Sequence, residues 1–199
     1  KDEPDCAQAH AALGAFMAER GDWATAEESL NLATRLKPDL VSPYVTLAQE
    51  YAKRGAFARA SECYAAALNL KPDMVTLLRG AADVALKSKR LEEAVQFLTL
   101  ARQQTPTDHD VLLTLGLTCA EIKKFAEARD ALQDYVAKRK TPPQAWVVLA
   151  QSCEAIGDTS GAADAYGRAV EMLPKDAELQ FAGGKSLAAR AVAGQWGVP

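Results

Sequence analysis

The sequence of 199 residues predicts an all-α solenoid built from tandem helical hairpins. The first observation is a period, because the letters LKPD at residues 36–39 recur 34 positions later at residues 70–73. At this offset alanine recurs in five successive copies, at Ala26, Ala60, Ala94, Ala128 and Ala162. The second observation is an amphipathic helical stripe at i, i+3, i+4 and i+7 upstream of each alanine. Together they predict five copies of one helix-turn-helix unit.

The second helix of each unit is marked by its alanine and by two later positions. Four residues after the alanine comes a large residue: Leu30, Tyr64, Leu98, Leu132 and Tyr166. Three residues further the copies carry Ala33, Ala67, Ala101, Tyr135 and Ala169. Proline then closes four units at Pro38, Pro72, Pro106 and Pro174, whereas the fourth unit has Lys140 at this position and Pro142 just beyond it. We expect the alanines to bring two helices close together and the large residues to fill the space between them.

The first helix of each unit carries the stripe that should pack against the second. The stripe residues are His10, Leu13, Gly14 and Met17; Tyr44, Leu47, Ala48 and Tyr51; Leu78, Ala81, Ala82 and Ala85; Leu112, Leu115, Gly116 and Cys119; and Trp146, Leu149, Ala150 and Cys153. The third member of every stripe is glycine or alanine, which allows close helix approach. His10 occupies a packing slot and is interpreted as a core residue rather than a ligand, whereas His109 is expected in a solvated turn.

A short break separates the two helices of each unit. Three breaks contain glycine, at Gly21, Gly55 and Gly157, which adopts the left-handed backbone that ends a helix at little steric cost. Lys89 and Lys123 stand at the same point of the third and fourth units. Each unit is therefore predicted to be a helical hairpin, which needs its neighbours to bury its apolar face.

These motifs resemble the tetratricopeptide repeat, a helix-turn-helix of 34 residues with the pattern W-x2-L-G-x2-Y, then A-x3-F, then alanine and proline. The matching copies span about residues 7–40, 41–74, 75–108, 109–142 and 143–176, followed by a capping helix at about 176–192 and a tail at 193–199. The resemblance implies one domain over residues 1–199 that forms a right-handed superhelix. It also implies a concave groove, lined by the exposed sides of the first helices, that holds a segment of a partner protein.

The predicted groove is mostly small and apolar, with a few polar groups. The first unit contributes Ala11, Ala12 and Ala15. The other four contribute Val45, Thr46 and Gln49; Arg79, Gly80 and Asp83; Leu113, Thr114 and Leu117; and Val147, Val148 and Gln151. Such a surface suits an extended or helical peptide with apolar anchors. The lysine and asparagine clamp with which some family members hold a chaperone's C-terminal carboxylate is missing, which disfavours that co-chaperone role.

Composition and motifs argue against several other functions. A net charge of −3 with interspersed acidic and basic residues gives no footprint for nucleic acid. The four cysteines lack metal-site spacing, and neither a catalytic constellation nor a cofactor motif is present, so we expect no metal, no cofactor and no enzyme activity.

The sequence also bears on where the protein is located. Apolar runs are too short to cross a membrane. The cysteines are read as mostly buried thiols of a reducing compartment, which favours the cytoplasm. Because the sequence starts at Lys1, we expect it to be a segment of a longer protein.

The C-terminal helix is unusually apolar for a capping helix, and the sequence allows two interpretations of it. In the first, it covers the fifth unit, as terminal repeats do. In the second, Phe181, Leu187, Val192 and Trp196 contact a second copy or another domain. The function hypotheses are accordingly a non-catalytic scaffold that binds a peptide in the groove, a self-assembling scaffold, or a regulatory segment of a larger protein. The family resemblance links the second to bacterial assemblies of the pilus, secretion or magnetosome type.

Overall fold

The structure, a computed structural model, describes residues 3–137 and 141–195. Within these ranges it contains eleven α-helices and no β-strand, which confirms the all-α prediction. The helices are α1 (Glu3–Glu19), α2 (Trp23–Leu36), α3 (Val41–Lys53), α4 (Phe57–Leu70), α5 (Val75–Lys87), α6 (Leu91–Gln104), α7 (His109–Glu121), α8 (Phe125–Val136), α9 (Pro143–Ala155), α10 (Thr159–Met172) and α11 (Ala177–Gln195).

The helices pack as antiparallel pairs inside two compact units, Lys1–Gln104 and Thr105–Pro199, called unit 1 and unit 2. In unit 1, α1 packs on α2, α3 on α4 and α5 on α6, and the pairs are joined through α2 with α3 and α4 with α5. In unit 2, α7 packs on α8, α9 on α10 and α11 on α10, and α8 contacts α9. The order of helices is that of five hairpins and one added helix. The repeat boundaries and the single domain stay predictions, and α11 continues to Gln195, past the predicted end at residue 192.

The recurring alanine of each second helix lies at the centre of its hairpin. All five alanines, Ala26, Ala60, Ala94, Ala128 and Ala162, are completely buried. The large residues four positions later are buried with them, at Leu30, Tyr64, Leu98, Leu132 and Tyr166. A methyl group at the first position lets two helix backbones approach, and the larger side chain fills the space one turn further along. The predicted core of the hairpins is therefore confirmed.

Two glycines on first helices show how close the approach is. A Cβ added to Gly14 would lie 2.5 Å from Leu30 Cγ, and a Cβ added to Gly116 would lie 2.5 Å from Leu132 Cγ. Carbon atoms in van der Waals contact are about 3.5–4.0 Å apart, so neither position has room for a methyl group without movement of its leucine. The prediction that small residues here admit the second helix is confirmed.

The turn inside each hairpin has the left-handed backbone that the sequence predicts. The φ angle is +83° at Gly21, +74° at Gly55 and +80° at Gly157. It is also positive at Lys89, +59°, and at Lys123, +62°, where no glycine is present. The two lysines therefore adopt the conformation of their glycine equivalents, because the hydrogen bonds that end the helix require it.

A polar and aromatic network joins α2 to α3 in unit 1. The ring of Trp23 meets Tyr51 edge to face at 5.2 Å, and the Arg54 guanidinium lies 4.4 Å from the Trp23 ring. The Tyr51 hydroxyl donates a hydrogen bond to Glu27 Oε1 at 2.6 Å, and Arg59 forms an ion pair with the same oxygen. Burial, reinforced by Glu27, raises the pKa of Tyr51 to about 12.

The apolar stripes omit two buried positions on each of α3, α5, α7 and α9. One is occupied by Pro43, Leu77, Val111 and Ala145, and the other by Glu50, Val84, Thr118 and Ser152. Three of these residues are polar, so hydrophobic periodicity does not mark them. Thr118 and Ser152 each donate their hydroxyl to the carbonyl four residues earlier at 2.7 Å, which satisfies the buried group. Burial would raise the pKa of Glu50, but hydrogen bonds from Lys53 and Arg54 hold it below its usual value.

The first hairpin departs from the predicted stripe. The stripe places Leu13 in the core, but this residue is 40% exposed, whereas its equivalent Leu47 is 2% exposed. Leu47 belongs to a core cluster that includes Leu30 of the preceding helix α2, and the described residues include no hairpin ahead of α1. Ala11, predicted to line the groove, is mostly buried and lies at the floor of a crevice between α1 and α3.

Candidate functional site

In both unit 1 and unit 2, the first helix of each hairpin exposes one side that is not used for packing within the hairpin. In unit 1, α3 contacts both α1 and α5, and in unit 2, α7 contacts α9. We call the exposed sides of α1, α3 and α5 the unit 1 inner surface, and those of α7, α9 and α11 the unit 2 inner surface. The predicted groove residues fall on these two surfaces, and their role in binding stays a prediction.

The unit 1 inner surface is mixed in character. Val45 is half-buried and packs against the core cluster that joins α2 to α5. The Thr46 hydroxyl donates to the Ser42 carbonyl at 3.2 Å, so its methyl group is left as the available part of the side chain. Gln49 and Arg79 are exposed. The surface therefore offers a small apolar patch bordered by polar side chains.

Asp83 and Gly80 on α5 have structural roles that the groove prediction did not include. The Asp83 carboxylate accepts a hydrogen bond from Lys87 Nζ at 2.7 Å, one turn along the same helix. A Cβ added to Gly80 would lie 2.4 Å from the Tyr64 hydroxyl oxygen, so the ring of Tyr64 occupies the space that any larger residue would need. Burial raises the pKa of Tyr64, and nearby Asp83 adds to the effect. Gly80 is a packing residue and not an open groove position.

The unit 2 inner surface is more apolar. Leu113, Val147 and Val148 are half-buried at the edge of the core cluster that joins α8 to α11. Leu117 is 37% exposed, and Gln151 is exposed beside them. Thr114 is half-buried, and its carbonyl accepts the Thr118 hydroxyl. Four large aliphatic side chains are thus presented on one surface of this unit.

Each unit has a crevice between two first helices, and the two crevices lie four repeat lengths apart in sequence. In unit 1, a crevice of about 420 Å³ between α1 and α3 is lined by Gln8, Ala11, Ala12, Ala15, Leu40, Ser42 and Thr46. In unit 2, a crevice of about 310 Å³ between α9 and α11 is lined by Gln144, Val147, Gln151, Tyr166, Leu173, Asp176, Glu178, Leu179 and Ala182. The second crevice contains two predicted groove residues, Val147 and Gln151.

The apolar residues predicted on the C-terminal helix are exposed where the structure describes them. Phe181 is 76% exposed, Val192 54% and Leu187 46%, while Leu179 is buried against the core. Trp196 lies outside the described residues. By the 34-residue register, Phe181 occupies the slot of Leu113 and Val147, so it belongs to the unit 2 inner surface. The apolar character of Phe181 does not by itself place it on this surface, but extending the 34-residue alignment beyond residue 176 does.

The thiols and histidines differ from expectation in three places. Cys119 and Cys153 are buried, as expected, but Cys63 is half-buried and Cys6 is exposed. Burial raises the pKa of the Cys153 thiol to about 11. His109, expected in a solvated turn, instead begins α7 and packs edge to face on Tyr135, with ring centroids 5.9 Å apart. This contact holds the imidazole of His109, the first residue of α7, against the side chain of Tyr135 on α8.

Residues 3–137 and 141–195 contain neither a metal cluster nor a membrane span. In that part of the chain, no three His, Cys, Asp or Glu side chains are grouped so that they could hold a metal ion. Of the helices described there, none combines the length and apolarity that a membrane span requires.

Paired helices with a small-residue core and exposed inner surfaces define a helical repeat protein. Three family models described as tetratricopeptide repeat match residues 45–109, 85–152 and 143–186. The chain belongs to the tetratricopeptide repeat family.

Known proteins that resemble the chain are of the same kind. It is 32% identical over 104 residues to human tetratricopeptide repeat protein 7A, which covers 51% of this chain and 12% of that protein. The chain thus spans about an eighth of the length of this curated relative. The crystal structure of MamA superposes with a TM-score of 0.71 at 17% identity, covering 87% of this chain and 95% of MamA. YrrB, described as a tetratricopeptide repeat protein with an unusual peptide-binding site, superposes with a TM-score of 0.71 at 15% identity, covering 92% and 90%. At these identities the two structures show the fold.

Proposed function

We propose that the chain is a non-catalytic scaffold that binds a segment of a partner protein through its inner surfaces. The observation that carries the proposal is the row of aliphatic side chains on the unit 2 inner surface, where Leu113, Leu117, Val147 and Val148 are only partly covered. Exposed apolar patches bordered by polar groups are typical of sites that bind proteins or peptides. The peptide-binding site named for YrrB supports the same kind of function on this fold.

The physical gain on binding would come from the apolar anchors. Covering a partly exposed leucine or valine contributes about 25 cal/mol for each Å² of apolar surface removed from water. Gln151 adds a group that can both donate and accept hydrogen bonds, which would align a peptide backbone beside the anchors. A peptide with two or three apolar side chains on one side fits this arrangement.

The test is a selection of twelve-residue peptides displayed on phage, followed by affinity measurement by fluorescence anisotropy with the selected peptides. Leu117→Glu and Val148→Glu place charges among the anchors and should weaken binding at least tenfold, because the buried carboxylates would be unpaired. Leu100→Glu is the matched control, since Leu100 is 46% exposed on the second helix α6. Circular dichroism should show all variants equally helical. Equal binding by Leu117→Glu, Val148→Glu and the control would refute the inner surface as the binding site.

Self-association is a second candidate, favoured by one observation. Leu187 and Val192 on α11 remain exposed together with Phe181, and apolar side chains gathered on one helix are typical of contacts with another chain. Sedimentation velocity at micromolar to millimolar concentration tests this candidate. A concentration-dependent dimer that Leu187→Ser with Val192→Ser converts to a monomer would support it, and a monomer throughout would remove it.

A further inference from the structure

The two crevices share a framework but differ in charge. Gln8 and Gln144 occupy equivalent places on α1 and α9, and the floor carries Ala11 in one crevice and Val147 in the other. The edges differ, because Leu40 and Ser42 in unit 1 are replaced by acidic residues in unit 2. The chain therefore contains the same crevice in a neutral form and in an acidic form.

The acidic residues of the unit 2 crevice are Asp176 and Glu178, at the start of α11. One oxygen of Asp176 accepts the backbone N–H of Leu179 at 3.0 Å, so this carboxylate is fixed at the helix terminus. Glu178 is exposed in the first turn of α11. The helix N-terminus carries the equivalent of about half a positive charge, so two carboxylates leave the edge of the crevice negative. Lys175 and Lys185 do not line it.

The rest of the crevice is apolar with two amides. Leu179 and Ala182 line it on the α11 side and Val147 on the α9 side. The Tyr166 hydroxyl donates to Glu154 at 3.0 Å, so its hydrogen is already used and the ring supplies apolar surface. Gln144 and Gln151 can accept hydrogen bonds from an N–H donor. A side chain with an aliphatic stem and a cationic head matches this lining, since the stem contacts the floor while the head meets the carboxylates.

We propose that the crevice between α9 and α11 selects a lysine or arginine side chain of the bound segment, while the crevice between α1 and α3 takes a neutral one. The inference rests on the proposed peptide-binding function and specifies its partner as a segment with apolar anchors and a basic residue. A glutamate in the same place would be repelled by Asp176 and Glu178. A purely aliphatic side chain would make the apolar contacts but would gain nothing from the two carboxylates.

The first experiment uses a small probe in place of a peptide. Propylguanidinium chloride is titrated into ¹⁵N-labelled protein, and propylurea, which has the same shape but no charge, is the matched probe. The amides of Val147, Gln151 and Ala182 should shift with propylguanidinium and much less with propylurea, and the effect should fall as salt rises. The amides of Ala11 and Thr46 should show no such preference. Equal response to the two probes at the α9–α11 crevice would overturn the proposal.

The second experiment changes the charge in both crevices. Asp176→Asn keeps an N-cap residue while removing the charge, and combined with Glu178→Gln it should weaken propylguanidinium binding by about threefold to tenfold, as expected for two partly exposed ion pairs. In the other crevice, Leu40→Asp with Ser42→Glu should create a preference for the cation. Unchanged selectivity in both double variants would contradict the role of the carboxylates.

The third experiment separates this inference from the proposed function. The peptides selected on the intact protein are synthesised with arginine, norleucine or glutamate at their basic position. Tighter binding of the arginine form, lost in Asp176→Asn with Glu178→Gln, supports both proposals. Equal binding of all three forms refutes the charge selectivity and leaves the scaffold function standing. Response to propylguanidinium with no peptide bound by either inner surface refutes the scaffold function and leaves the cation-selective crevice standing.

Discussion

Replacing Lys89 with glycine should stabilise the protein, although it removes a side chain. Lys89 follows Ser88, the C-cap of α5, and has a φ of +59°. Two hydrogen bonds hold it there: its own N–H donates to the Leu86 carbonyl at 3.0 Å, and the Arg90 N–H donates to the Ala85 carbonyl at 2.9 Å. This pair of bonds defines a Schellman motif, in which glycine is the preferred residue. Lys89 is exposed, so glycine loses little packing.

The magnitude depends on two opposing terms. Left-handed backbone costs a residue with a Cβ about 1–2 kcal/mol, while glycine gives the unfolded chain extra freedom that costs about 0.4–1 kcal/mol. The net gain in free energy of unfolding is therefore about 0.5–1 kcal/mol, or a rise of about 2 °C in Tm for a chain of this size. Lys123, with a φ of +62°, should respond in the same way.

Lys71→Gly is the matched control. Lys71 is also exposed and also comes directly after a helix, but its φ is −139°, so glycine relieves no strain there. Only the unfolded-state term remains, and the free energy of unfolding should fall by about 0.4–1 kcal/mol. Urea unfolding monitored by circular dichroism at 222 nm compares the three variants. If Lys89→Gly and Lys71→Gly shift the midpoint in the same direction, the account of the turns is wrong.

Three further predictions concern the core, pH and the thiols. Leu132→Ala should cost about 2.5–5 kcal/mol in urea unfolding because Leu132 is fully buried, whereas Leu117→Ala on the exposed inner surface should cost under about 1 kcal/mol. Folding raises the pKa of Tyr51 from 10.0 to about 12, so the folded state holds the phenol proton more tightly than the unfolded state does. The free energy of unfolding should therefore fall as pH rises from 10 to 12, and this fall should be smaller in Tyr51→Phe. Under native conditions Ellman's reagent should modify Cys6 within the mixing time and leave Cys119 unmodified until the protein unfolds.

The period of 34 residues is sufficient to predict the hairpins, because each repeated position requires either a particular side-chain size or a particular backbone conformation. A slot between two backbones accepts only alanine or glycine, and a slot at the turn needs left-handed backbone. The register alone therefore locates Ala128 in the core and assigns Lys123 to a glycine position. Slots of this kind depend on local geometry that is the same in every copy.

Other features could not be predicted because they depend on contacts that the pattern of apolar residues does not encode. Leu13 has the same place in its repeat as Leu47, yet the two differ in exposure, because Leu47 packs with Leu30 of the preceding helix and the described residues show no such helix ahead of Leu13. The buried Ser152 is polar, and its hydroxyl is satisfied by a carbonyl of its own helix. The prediction for His109 is wrong because the ring of Tyr135 comes from the partner helix of its hairpin. Hydrophobic periodicity carries no information about such partners.

The inner surfaces are where the repeats are chemically free to differ. The slot that carries Val45 in the second hairpin carries Arg79, Leu113, Val147 and Phe181 in the later helices of the same register. The alanine slot of the second helices shows no such range of size and charge. Because these side chains lie at the edge of the core and are at most partly buried, changing them alters the ligands that the surface can bind more than it alters the fold. The same freedom explains how Asp176 and Glu178 can replace Leu40 and Ser42 in an otherwise equivalent crevice. Binding specificity in this chain is therefore expected to reside in the first helices, and substitutions confined to the exposed sides of the second helices should leave peptide affinity unchanged.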